Sequence, residues 1–155
     1  MTGVQTCALP ILAQQLTAEM VPRALRQQID LGMEEAMHDE EVWVEANELL
    51  MREALTNLID NALLYAGVGA QVTLRVQRER HMARLDVMDN GPGIPTSEHE
   101  RVMERFVRAT EKGNGCGLGL AIVREIIESH HGKVELSESK PRGLQVTLRL
   151  PLVNS

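Results

Sequence analysis

The sequence predicts an α/β two-layer sandwich, with helices on one face of a mixed, mostly antiparallel sheet. Two observations carry this. The segment 47–66 places apolar residues at helical spacing, and further helices are expected over 13–27 and 118–129. The runs 71–78 and 83–89 alternate apolar and polar residues, as antiparallel strands do. At 155 residues the chain supports one domain with a sizeable core. With one Trp, one Tyr and one Phe, that core must consist of Leu, Ile, Val, Met and Ala. Internal repeats and low-complexity linkers are absent from the sequence.

Taken in order, a first helix over 13–27 tolerates Pro22 and leads to short strands at 29–34 and 42–44. The helix over 47–66 carries Leu50, Ala54, Leu58 and Ala62 along one stripe, flanked by Leu55, Ile59 and Leu63, with Asn47 as its cap. Strands over 71–78 and 83–89 follow. The stretch 96–114 is polar and highly charged, with one short helical pattern ending near Val107. The last helix covers 118–129, and strands at 133–137 and 144–150 form a hairpin through Pro141-Arg142-Gly143.

Two glycine-rich stretches are the most informative feature. Asp89-Asn90-Gly91-Pro92-Gly93-Ile94-Pro95 closes a strand, and Gly113-Asn114-Gly115-Cys116-Gly117-Leu118-Gly119 runs directly into a helix. Glycine lets backbone approach a ligand closely. A helix N-terminus offers unpaired N–H groups that suit phosphate. A carboxylate at a strand end, Asp89, can accept from an exocyclic amine. Together they read as a nucleotide site with an adenine end and a phosphate end. The spacing excludes a dinucleotide fingerprint, whose third glycine would fall on Leu118 or Leu120. It also excludes a Walker loop, because Gly132-Lys133 precedes Val134. Glu53, Asn57 and Asn61 share one helical face at intervals of four. Amides on the buried side of a helix need partners, and their oxygens are hard ligands suited to Mg²⁺. Capping of interior loops is the other reading of Asn57 and Asn61.

These segments resemble the motifs of sensor histidine kinases. Asn57-Leu58-Ile59-Asp60-Asn61-Ala62-Leu63-Leu64-Tyr65 is similar to their N box, and Asp89 to Ile94 to their first glycine box. Glu104-Arg105-Phe106-Val107-Arg108 resembles their F box, and Gly115 to Val123 their second glycine box. The four motifs stand in family order over roughly residues 46 to 151. The resemblance implies the Bergerat-type ATP-binding fold shared with gyrase, heat-shock ATPases and mismatch-repair proteins. It implies ATP and Mg²⁺ as cofactors, with Asn61 coordinating the metal and Asn57 supporting metal and phosphates. Asp89 would accept from the adenine amino group, with Gly91, Gly93, Ile94 and Tyr65 around the base. Arg105 and Arg108 would reach phosphate, with Arg108 catalytic beside Asn57 and Asn61. Phe106 would anchor the lid, which spans 96–114 and is expected to be the most mobile internal segment. Gly115, Cys116, Gly117, Leu118 and Gly119 would shape the phosphate loop.

Two departures stand out. Many kinases of this kind carry a cation where this chain has Leu64, so lid arginines gain importance. There is also no phosphoacceptor motif. Of the five histidines, His38 precedes Asp39 but leads into a strand, and His81, His99, His130 and His131 flank strands or loops. The implied protein is therefore a kinase whose dimerisation and phosphoacceptor helices lie elsewhere. It would act with a response regulator, as a cytoplasmic domain of a protein in the bacterial inner membrane, homodimeric only at full length.

Residues 1–11 resemble the conceptual translation of a sequencing-library adapter and are expected to be a non-native tail. Residues 12–33 would be the end of a linker or the start of the domain, similar to a tricarboxylate-sensor-like subgroup, and 34–155 the catalytic domain. Discounting Cys7 leaves one thiol, Cys116, which cannot form an internal disulfide. Sixteen Lys and Arg against 22 Asp and Glu, net −6, argue against nucleic acid as a partner. No apolar run reaches the ~18 residues of a membrane span. Two other readings stay open: an anti-sigma serine kinase of the same fold, and a nucleotide-binding module without phosphotransfer. A gyrase-like ATPase is disfavoured, because Asn57 stands where those enzymes are expected to have a Glu base.

Overall fold

The computed structural model describes residues 3–34, 41–104 and 118–153. Strand β1 (Val4–Ala8) leads into helix α1 (Leu9–Arg26), then β2 (Asp30–Met33), β3 (Trp43–Asn47) and helix α2 (Glu48–Ala66). After β4 (Gln71–Glu79) and β5 (Met82–Asp89), a 3₁₀ turn (Thr96–Glu98) opens α3 (His99–Val102). Helix α4 (Leu118–Ser129), β6 (Lys133–Glu138) and β7 (Leu144–Pro151) complete the order. The main sheet runs β2-β4-β5-β7-β6. Its β2–β4 pair is parallel and the remaining pairs are antiparallel. A second sheet pairs β1 with β3. This is the expected α/β sandwich.

Local chemistry sets the boundaries. The Asn47 side chain accepts from the Leu50 N–H and caps α2, as its sequence position predicts. Helix α1 begins at Leu9 rather than near residue 13, because Pro10 is compatible with a first helical turn and Leu9 and Leu12 are buried. The second short strand covers Trp43–Asn47 rather than 42–44, extended by its pairing with β1. That pairing also takes up residues 4–8 of the expected tail, and Cys7 is buried. Residues 12–33 pack with the rest, since β2 hydrogen-bonds to β4.

The core fills the space between the helices and one face of the sheet. Leu55, Leu58 and Ile59 from α2 meet Leu74, Leu85 and Leu148 from the strands, all fully buried. Leu50, assigned to the buried stripe, is 37% exposed in the first turn of α2. At the far end of α4, His130 clasps the two central helices. Its Nδ1 hydrogen-bonds the Ile126 carbonyl at 2.7 Å, and its Nε2 accepts from the Asn47 N–H at 3.1 Å.

The opposite face of the sheet is a charged ladder. Asp86 on β5 is fully buried there because Arg75 grips one carboxylate oxygen at 2.9 and 3.1 Å, while Arg84 and Thr147 donate to the other. A buried carboxylate needs that degree of pairing. Hydrogen bonds from Arg149 and Arg84 hold Glu79 below the usual carboxylate range. The ladder locks β5 against β4 and β7, three residues before Asp89. Among the described residues, no helix is long and apolar enough to cross a membrane.

Asn47→Ala removes the cap without touching the backbone N–H that His130 accepts from. Denaturant unfolding is expected to show a loss of about 1 kcal/mol. An unchanged midpoint would deny the cap its role.

Candidate functional site

Helix α2 forms the wall on which the site is assembled. Asn57 and Asn61 lie half-buried on it, while Glu53 on the same stripe is exposed, so only the amide pair reaches the interior. The start of α4 comes against this pair. A Cβ placed on Gly119 would stand 3.8 Å from Asn61 Oδ1 and 3.9 Å from the Asn57 carbonyl. At the C-terminal end of the same helix, Gly91 approaches so closely that a Cβ would lie 2.4 Å from the Ala66 carbonyl oxygen. No side chain fits there. At 1.5 Å rise per residue, Asn61 and Ala66 are about 7.5 Å apart along the axis. Tyr65, half-buried, sits between the two approaches.

Asp89 ends β5 and is 6% exposed. Its Oδ1 accepts from the Gly91 N–H at 2.9 Å and from the Leu144 N–H at 3.3 Å. Among the described residues, no hydrogen bond reaches Oδ2. The carboxylate is therefore oriented by backbone through one oxygen. Burial pushes its pKa above the usual range, and the two N–H donors oppose that shift. Gly93 carries φ +77°, and Ile94 is buried and offers its carbonyl to His99 Nε2 at 3.0 Å. Val102 and Met103 are buried, and Glu100 pairs with Arg124 of α4. The stretch after the glycine loop is thereby fastened to the domain.

The structure thus brings Gly119 against Asn57 and Asn61, and Gly91, bonded to Asp89, against the end of the same helix, with Tyr65 one residue before that end and Gly93 and Ile94 following in the glycine loop. Leu118 is the first residue of α4. Arg105, Phe106, Arg108, Gly115, Cys116 and Gly117 lie outside the described residues, as does the expected helix end near Val107. Sequence reasoning placed the β6–β7 turn but missed its part in the site. Gly143, at φ +113°, packs against β5 so tightly that a Cβ would lie 1.9 Å from the Asp89 carbonyl oxygen. Pro141-Arg142-Gly143 signalled a turn, but nothing local signals where it lands.

A nucleotide-binding α/β domain is the class that this arrangement defines. The chain belongs to the family of histidine kinase-, DNA gyrase B- and HSP90-like ATPases, whose profile matches residues 45–154. The chain is accordingly an ATP-binding domain. The chain is 38% identical over 145 residues to the sensor protein kinase PmrB of Pseudomonas aeruginosa, covering 92% of this chain and 30% of that protein. It spans 26–33% of the length of the first curated relatives that it matches. The catalytic domain of histidine kinase ThkA, solved nucleotide-free, superposes with a TM-score of 0.85 at 26% identity, covering 96% of this chain and 95% of that one. Full-length ShkA, solved with AMPPNP, gives 0.85 at 25% identity, covering all of this chain and 32% of that one.

A carboxyl whose pKa rises on folding adds stability that is complete below its unfolded value and lost as pH climbs through the folded one. Asp89→Asn removes that titration. Its melting temperature relative to the parent is expected to rise from about pH 3 to neutrality. A gap constant with pH would contradict the burial assigned to Asp89.

Proposed function

We propose that the chain is the ATP-binding catalytic domain of a two-component sensor histidine kinase. In the whole protein, the γ-phosphoryl of ATP would pass to a histidine on a dimerisation helix outside this chain, and then to a response regulator. The observation that carries the reading is the common wall. Asn61 faces Gly119 and Ala66 faces Gly91 on a single helix, with a buried carboxylate held through one oxygen by backbone beside the second contact.

In this reading, Asp89 Oδ2 accepts from the adenine amino group, and Tyr65, Gly91, Gly93 and Ile94 surround the base. The donor set at the other end fits a hard cation. The Asn61 amide oxygen and the Asn57 backbone carbonyl stand beside a helix start that already favours phosphate oxygens, and the Asn57 side chain is half-buried on the same helix face. Asn61 would hold Mg²⁺ with Asn57 in support, and the ion when bound would neutralise phosphate charge. Arg105 and Arg108 are the proposed phosphate cations, with Arg108 catalytic, and Phe106 is the lid anchor. Gly115, Cys116 and Gly117 would shape the phosphate loop, with Leu118 and Gly119 at the start of the helix that follows it. Rate enhancement would come from positioning and charge stabilisation rather than covalent chemistry. The whole protein is proposed to be a homodimer in the bacterial inner membrane, with this domain in the cytoplasm. Residues 34–155 are proposed as the catalytic domain proper, with 12–33 leading into it and 1–11 a non-native tail.

Titration calorimetry with Mg·ATP tests the site. Asn61→Ala is expected to weaken binding by at least about tenfold, the loss of roughly one strong polar contact. Equal affinity in the variant would remove Asn61 from its role. With ATP radiolabelled on the γ-phosphoryl, the chain alone is expected to remain unlabelled. Acid-labile self-labelling would overturn the placement of the acceptor outside it.

A further inference from the structure

A cleft of about 340 Å³ separates the first glycine loop, residues 92–95, from the β6–β7 turn, residues 138–143. Among the described residues, two side-chain hydrogen bonds flank the cleft, joining residues 91 and 96 to the turn. Thr96 Oγ1 reaches Glu138 at 3.5 Å, at the limit of such a bond. The Arg142 Nε–H donates to the Gly91 carbonyl at 3.0 Å, across 51 positions of sequence.

The second contact falls on the residue that the site can least allow to move. The Gly91 N–H is already committed to Asp89 Oδ1 at 2.9 Å, and its Cα is pressed against Ala66. The carbonyl is the remaining polar group of Gly91, and Arg142 takes it. The turn that carries Arg142 is itself fixed at both ends. Ser139 N–H donates to the Gly143 carbonyl at 3.0 Å, and the Leu144 N–H donates to Asp89 Oδ1. Arg142 therefore stands on the same frame that orients the carboxylate.

We infer that Arg142 is a positioning residue for base recognition, holding the glycine loop in register with Asp89 through its bond to the Gly91 carbonyl. The inference rests on the nucleotide-binding reading above and names a residue that none of the sequence motifs contains. The guanidinium does not touch the nucleotide in this account. It fixes the backbone that does, and only its Nε–H is required.

That requirement gives a clean pair of variants. In Arg142→Gln the amide Nε2 occupies the chain position of the arginine Nε and still donates. Arg142→Met has a similar length and no donor. Both lose the charge, and Arg142 is exposed, so both chains are expected to melt near the parent temperature. By calorimetry, Arg142→Met is expected to bind Mg·ATP roughly three- to tenfold more weakly and with a smaller preference over GTP. Arg142→Gln is expected to recover most of both losses. Parent-like affinity and preference in Arg142→Met would overturn the inference. So would equal weakening of the two variants, which would assign the effect to charge. A parent chain that fails to bind Mg·ATP would instead remove the nucleotide reading, and this inference with it.

Discussion

The site is built on the contact of bare backbone with α2 and with the end of β5. At Gly91 and at Gly143 a single added carbon would lie 2.4 and 1.9 Å from a carbonyl oxygen, well inside any tolerable contact. Those approaches set how near the glycine loop lies to the helix, and how near the β6–β7 turn lies to Asp89. Everything polar in the site is referred to them. The Leu144 N–H reaches Asp89 Oδ1 across the closeness of the Gly143 turn to β5, while the Gly91 N–H reaches the same oxygen locally, two residues along the chain. A glycine here supplies proximity first and conformational freedom second.

Strand β5 carries two buried carboxylates treated in opposite ways. Alternation along the strand turns Asp86 to the charged face and Asp89 to the helix side. Asp86 is saturated by Arg75, Arg84 and Thr147, and serves to fix the strand. Asp89 receives neutral backbone donors on one oxygen and none from the described residues on the other. It keeps a desolvation penalty that raises its pKa. A group left in that condition, at the mouth of two glycine contacts, is better suited to meeting a ligand than to holding a fold.

The fold's periodic elements were legible because their signals are local. Asn47 four residues ahead of Met51 marks a cap that forms as written, and the Leu118–Ser129 helix has the bounds its apolar pattern suggests. The alternation in β4 and β5 likewise reports one buried face. The beginning of α1 and the extent of β3 were less legible, since both depend on pairing with β1. Leu50 was misread because apolar spacing alone cannot show where a helix runs past the edge of its sheet. The amide pair was legible from its spacing of four, and Glu53, on the same stripe, is exposed.

By itself, the sequence determined the residue chemistry of the site: amides on a helix, a carboxylate at a strand end, and glycines where backbone must come close. These are short-range statements, and short-range physics suffices for them. Tertiary structure alone decided that the Arg142–Leu144 turn would brace Asp89 and Gly91, because the antiparallel pairing of β5 with β7 joins positions 55 apart in the chain. It also decided that His130 would tie α4 to the cap of α2, across 83 positions. No window of sequence contains either contact, since each exists only once the sheet has set its strand order.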